Sequence, residues 1–181
     1  MEIRALGLAD EAAARAAHTE LAAEGFAFLP FYEPSEPWRD YLRRVDRLRR
    51  GEEGLARPFV PWTDGYGVVD EVVVGRVSVR HRLTQSLTQV GGHIGYGVRP
   101  QYRRRGYATT LLRAGLAIAR DLGIDRALVT CNDDNVASAA VIERCGGVLE
   151  NVVQIPDAGS KRRYWVPTCA ITTGEPTFGS A

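Results

Sequence analysis

The sequence predicts one α/β domain (α+β mixed) with helices packed on a sheet. Three observations lead there. Two helix-period segments occupy the first fifty residues, a valine-rich pair of strands follows over 66–83, and from Gly91 onward the hydrophobic period alternates between strand and helix before ending in two strands. At 181 residues the chain fits one self-supporting core and is short for two.

Composition excludes several classes. Hydrophobic residues at 45% and charged residues at 25% match an ordinary globular chain, neither disordered nor collagen-like. Lys+Arg 23 against Asp+Glu 22 leaves a net charge of +1, so no global field draws the chain to nucleic acid or anionic lipid. The three cysteines, Cys131, Cys145 and Cys169, lack C-x-x-C spacing, and residues 1–17 show no secretory leader, which predicts a reducing cytoplasm. No stretch approaches the roughly eighteen apolar residues of a membrane span. His18 has no metal-ligand partner at helical spacing, and no metal is expected.

The elements follow in order. Residues 8–24 are alanine-rich and helix-forming, with Asp10 near the start and Gly25 at the end. After Pro30, Pro34 and Pro37, the residues Trp38, Tyr41, Leu42, Val45 and Leu48 recur at three- and four-residue steps, the mark of an amphipathic second helix. Its other face carries Arg43, Arg44, Arg47, Arg49 and Arg50, with Asp40, Asp46, Glu52 and Glu53 near enough to pair with them. Residues 57–64 hold two prolines and predict a loop. Residues 66–69 and 72–83 predict strands joined by a tight turn at Asp70-Glu71. In the second strand Arg76 and Arg80 share one face, suited to border a polar cleft.

Residues 85–89 read as a polar connection and 91–98 as a glycine-dense strand. Ala108, Leu111, Leu112, Gly115, Ile118, Ala119 and Leu122 lie on one helical stripe, closed by Gly123. Residues 126–131 predict a buried strand, 132–135 a loop rich in N-cap candidates, and 136–145 a short helix stopped by Gly146-Gly147. A hairpin over 148–155 and 162–166 follows, and 172–181 predict a loosely held tail.

The chemistry-bearing segment is 98–108, V-R-P-Q-Y-R-R-R-G-Y-A, where a strand end, a basic loop, a glycine and a helix start meet. The first backbone N–H groups of a helix lack intrahelical acceptors and sit at the positive end of its dipole, so they can take phosphate oxygens, with neighbouring arginines adding charge. A P-loop is excluded, because the only lysine, Lys161, does not follow the required glycines. A dinucleotide fingerprint fails at Pro100, which stands where its third glycine belongs.

Residues 103–108, R-R-R-G-Y-A, resemble the (Q/R)-x-x-G-x-(G/A) signature of the GNAT superfamily of N-acetyltransferases. Val98-Arg99-Pro100 resembles the end of that family's fourth strand, and Asn135-Val136-Ala137-Ser138, with Glu143 and Gly146, resembles its later N-x-x-(A/S) helix. The resemblance is strongest over 69–166.

It implies a twisted, mixed sheet of six or seven strands with about four helices, binding acetyl-coenzyme A where the fourth and fifth strands splay apart. The pyrophosphate would lie over Arg103, Arg104, Arg105, Gly106, Tyr107, Ala108 and Thr109. The pantetheine arm would pair with the backbone near Tyr96 and Val98, with Asn135 and Ser138 along its other side. The N–H of Val98 would polarise the thioester carbonyl. A single domain is implied, with 1–64 forming the acceptor side, 65–166 the sheet and cofactor core, and 167–181 a tail.

The expected reaction is direct attack of a primary amine of a small molecule, amino acid or peptide on the acetyl thioester. His93 is the first candidate base, with an ordinary strand histidine as its equal alternative. Many family members carry a tyrosine acid where this chain has Ile142; Tyr96, Tyr164 or Cys145 are candidate substitutes, departure of the thiolate without a protein acid is the alternative, and Tyr96 is placed with His93 in the catalytic set. Trp38, Trp62 and Tyr66 could line the acceptor pocket, with core packing the larger expectation. A non-catalytic acyl-coenzyme A sensing module is the alternative. No nucleic-acid or membrane partner is expected, and a homodimer is left open.

Overall fold

A computed structural model describes residues 1–52, 60–156 and 159–169. Seven strands, β1 (Glu2–Arg4), β2 (Trp62–Val69), β3 (Val72–Arg80), β4 (Ile94–Val98), β5 (Arg126–Asn132), β6 (Val148–Ile155) and β7 (Gly159–Pro167), form one sheet in the order β1-β2-β3-β4-β5-β7-β6. Five α-helices accompany it: α1 (Glu11–Ala22), α2 (Trp38–Arg50), α3 (Gln85–Gln89), α4 (Tyr107–Asp121) and α5 (Val136–Arg144). Every neighbouring pair is antiparallel except β4 with β5. The mixed sheet agrees with the expectation.

Three local readings differ. Residues 85–89 are the short helix α3, started by Thr84, whose hydroxyl accepts from the N–H of Leu87 (3.2 Å); five residues are too few for a readable period. The loop expected to run to Asp64 ends earlier, because Trp62, Thr63 and Asp64 pair with Arg80, Val79 and Ser78. Ladder pairing overrides the proline signal there. The three-residue β1, which pairs with β2, is too short to show alternation. Residues 57–59 of the expected loop and the expected tail at 172–181 lie outside the described residues.

The turn between β2 and β3 holds Asp70 and Glu71 at φ 48° and 63°, the left-handed pair that suits the twist of a two-residue hairpin. Two apolar layers then form on opposite faces of the sheet. One packs Leu111, Leu112, Leu116 and Ala119 of α4 against Val77, Ile94 and Val129. The other packs Ala14, Ala17 and Leu21 of α1 and Trp38 and Tyr41 of α2 against Tyr66, Val68 and Val73. Gly115 sets the approach of α4: a Cβ there would lie 2.8 Å from Val77 Cγ2 and 3.0 Å from Ile94 Cγ2. The arginine-rich face of α2 is largely paired, Arg44 with Glu36 and both Arg49 and Arg50 with Asp46. Among the described residues no helix is long and apolar enough to cross a membrane.

Candidate active site

β4 and β5 run parallel yet pair at one position only, Ile94 with Val129. Just before that contact the N–H of His93 donates to Leu128 O (2.7 Å), and the N–H of Leu128 donates to His93 Nδ1 (2.9 Å). Beyond it the strands part. The opposite edge of β4 is paired with β3 throughout. Arg80 N–H donates to His93 O (2.8 Å) and Arg99 N–H to Val74 O (2.9 Å), which fixes the phase of that ladder. The peptide groups of Gly95 and Gly97 therefore turn toward β3, and those of Tyr96 and Val98 turn into the gap.

At the end of β4 the chain is anchored before it enters the basic loop. Arg99 is only 6% exposed, donates two bonds to the Glu20 carboxylate of α1 (2.8 and 2.6 Å) and one to Val73 O (3.0 Å), and lies over the Tyr102 ring. The guanidinium holds the Glu20 carboxyl below its usual range. Gly106 follows at φ +82° as the residue before α4, a conformation that glycine adopts without strain. No side chain caps α4. Among the described residues the N–H groups of residues 104–109 have no acceptor, and they open at the positive end of a fifteen-residue helix.

The three loop arginines differ. Arg103 is tied down by its pair with Glu24 and by a bond from Nε to Val98 O (3.1 Å). Arg104 is exposed at φ +63°, and Arg105 lies against the Tyr102 ring. Tyr107, Ala108 and Thr109 form the first turn of α4, half-buried.

Across the gap, Tyr96 Oη lies 2.9 Å from Ser138 Oγ and 3.4 Å from Ser138 O. This contact joins β4 to α5. Burial pushes the Tyr96 phenol well above its ordinary value. Asn135 caps α5, its Oδ1 accepting from the N–H of Ser138 (3.0 Å). Ile142 is fully buried. Tyr164 is also buried and donates its hydroxyl to Glu143 Oε1 (3.0 Å), while burial raises the Cys145 thiol.

His93 does not present a basic nitrogen in this arrangement. Nδ1 accepts from the Leu128 N–H, so the neutral ring carries its proton on Nε2, a donor. Burial, reinforced by Arg80, pulls its pKa down. With Nδ1 occupied in this way, the histidine closes the vertex of the splay.

On the opposite face of the sheet from α4, a pocket of about 440 Å³ opens against Gly95 of β4. Phe26 and Phe31 from the α1–α2 connection and Trp62 of β2 form apolar walls; Arg76, Ser78 and Arg80 of β3 enter from the sheet. The shared face of the two arginines was readable, but Arg76 is buried rather than solvated, bound to Asp64 Oδ1 (3.0 and 2.7 Å) and Ala27 O (2.6 Å). Of the three candidate aromatics, Trp62 reaches this pocket while Trp38 and Tyr66 pack in the core. Arg99, Phe26 and Asp64 were missed. Arg99 had one signal, a basic residue before proline at a strand end.

A family model described as an acetyltransferase (GNAT) domain matches residues 1–148. The structure resembles that of YncA from Salmonella typhimurium with its cofactor acetyl-CoA, at 15% identity and TM-score 0.61, covering 97% of this chain and 98% of the other. It also resembles a spermidine N-acetyltransferase variant from Vibrio cholerae (15%, TM-score 0.61, coverage 93% and 95%). A ribosomal-protein-alanine N-acetyltransferase from Brucella melitensis is similar as well (16%, TM-score 0.63, coverage 92% and 99%). No curated protein matches the sequence. The family match over residues 1–148 makes the chain an acetyltransferase, and it belongs to the GNAT acetyltransferase family. Acetyl-coenzyme A is the acetyl donor of that class.

Proposed function

We propose that the chain transfers the acetyl group of acetyl-coenzyme A to a primary amine of a small molecule, amino acid or peptide, both reactants being held together. The observation that carries this reading is the open edge of β4, with the peptide groups of Tyr96 and Val98 turned into the gap, directly before a loop of unpaired N–H groups. Bound there, acetyl-coenzyme A supplies a thioester carbonyl open to amine attack.

The residues divide the work. The N–H groups of Arg104, Arg105, Gly106, Tyr107, Ala108 and Thr109 hold the pyrophosphate, with the Arg104 and Arg105 guanidiniums adding charge. Arg103 positions the loop through Glu24. Tyr96 and Val98 hold the pantetheine arm by strand-type bonds, and Asn135 and Ser138 wall its far side. The Val98 N–H polarises the thioester carbonyl, a contribution of about 3 kcal/mol in comparable sites. Tyr96, kept protonated by burial, gives a proton to the departing sulfur. The attacking amine reaches the thioester as the free base, its proton given up to water.

The test is calorimetric titration of acetyl-coenzyme A, then thiol release in the same sample with a panel of amines at pH 6 to 9. Micromolar binding with amine-dependent release, rising with pH as the free amine fraction grows, is expected. Absence of binding overturns the donor site, and binding without release from any amine overturns the transferase reading.

A further inference from the structure

The pocket against Gly95 has a charge pattern that narrows the acceptor. We propose that the acceptor is a primary amine that carries its own carboxylate on an apolar or aromatic body, and that Arg80 receives that carboxylate. This inference rests on the function proposed above.

The two arginines in the pocket are in different electrostatic states. Arg76 is used up: Nε and Nη2 bond Asp64, Nη1 bonds Ala27 O, and its charge is neutralised within a buried pair. Arg80 has no acidic partner among the described residues. Its Nη1 reaches the carbonyls of Gly91 (3.3 Å) and Gly92 (3.1 Å), both neutral acceptors, and Nε and Nη2 have no partner there. The side chain is half-buried in the pocket wall, and burial together with Arg76 depresses its pKa. A cation held in such a place gains from an anion brought beside it, and a guanidinium edge with two free N–H donors matches a carboxylate in geometry.

The rest of the pocket fits the other two parts of such a molecule. Phe26, Phe31 and Trp62 offer apolar walls for the body. Gly95 is the point where the pocket meets β4, and its lack of a side chain leaves that face of the strand open to the amine. The same charges disfavour a polyamine, whose second ammonium would enter a pocket where, among the described residues, a guanidinium lacks an acidic partner and no carboxylate is in the lining. In the reaction the amine nitrogen bonds the acetyl carbon and the C–S bond breaks. One amine proton leaves to solvent, and the sulfur is protonated as the free thiol.

The test uses matched pairs that differ only in the carboxylate, L-phenylalanine with phenethylamine and L-tryptophan with tryptamine, together with spermidine. Thiol release gives kcat/KM for each, and calorimetry on the coenzyme A-saturated protein gives binding. Each amino acid is expected to exceed its decarboxylated partner by about 10–100-fold, the span of one charge-assisted bidentate contact. Arg80→Gln should collapse that ratio mainly through KM, with Arg80→Lys recovering part of it; circular dichroism and acetyl-coenzyme A titration check the folding of both variants. Amines acetylated as well as or better than their amino acids overturn the inference and leave the transferase standing. Failure of every carboxylated member to bind overturns it also. Loss of acetyl-coenzyme A binding in the unaltered protein is the separate result that removes the donor site and this inference with it.

Discussion

His93 and Leu128 exchange two hydrogen bonds immediately before the single point where β4 and β5 pair, N–H to O at 2.7 Å and N–H to Nδ1 at 2.9 Å. The imidazole takes the place of a backbone carbonyl. His18 of α1 repeats the device, its Nδ1 accepting from the N–H of Leu29 (3.1 Å). Both rings must be neutral to accept, and burial lowers both pKa values.

Stability should therefore fall as acid is added. A histidine whose pKa is depressed by folding is neutral in the native state, while the unfolded chain binds a proton below about pH 6.5. The contribution is whole above that value and is lost progressively as pH falls toward the folded-state pKa values. Urea denaturation at pH 8.0, 6.5 and 5.5 should show the midpoint falling over this window, with a shallower fall in His93→Gln. At pH 8, His93→Ala strands a buried N–H and should cost about 1–3 kcal/mol. An unchanged midpoint between pH 8 and 5.5 would be incompatible with neutral, accepting rings.

Gly106 has open space beside it, so a side chain there meets no protein atom. It would stand at the mouth of the helix, where the proposed pyrophosphate must come close to the backbone, and φ +82° strains any β-branched residue. Gly106→Val should weaken acetyl-coenzyme A binding by at least about tenfold, against a strain of roughly 1–2 kcal/mol. Calorimetry checks the affinity, and a melting curve separates it from general unfolding.

The sequence exposed the parts governed by local pattern. The stripe from Ala108 to Leu122 and the positive-φ glycine before it placed the helix and its N-terminus, and strand parity placed Arg76 and Arg80 on a common face. What it concealed depends on contacts between distant segments. The partner of Arg76 is 12 positions away, that of Arg99 is 79 away, and the acceptor of the Leu128 N–H is 35 away. His93 illustrates the limit: its residue type allowed a base, and only the strand crossing shows which nitrogen is occupied.

Asp64 and Arg76 form a pair with both side chains under a tenth exposed, and Asp64 also accepts from Trp62 Nε1 (2.7 Å). Asp64→Asn preserves an acceptor and removes the charge, leaving a guanidinium buried without its counter-ion. Breaking one side of such a pair costs about 3–5 kcal/mol. Chemical denaturation should register that loss, and a drop below about 1 kcal/mol would mean water reaches the guanidinium. Because Arg76 also fastens Ala27 at the pocket rim, acceptor KM should rise in the same variant while acetyl-coenzyme A affinity holds.

Tyr96 tests the chemical step. Its ring packs with the α4 layer while its hydroxyl meets Ser138 across the gap, so Tyr96→Phe removes the oxygen and keeps the packing. The hydroxyl is the candidate donor to the leaving sulfur where Ile142 stands in place of the family's tyrosine. Loss of a positioned acid typically costs about 100-fold or more in rate. Tyr96→Phe should therefore lower kcat by about that factor with acetyl-coenzyme A affinity changed less than about threefold, since a hydroxyl used only in the chemical step contributes little to ground-state binding. Substrates with a more acidic thiol leaving group, such as an activated acetyl thioester, should recover much of the lost rate. Full kcat in the variant would assign the Tyr96–Ser138 contact to holding β4 against α5.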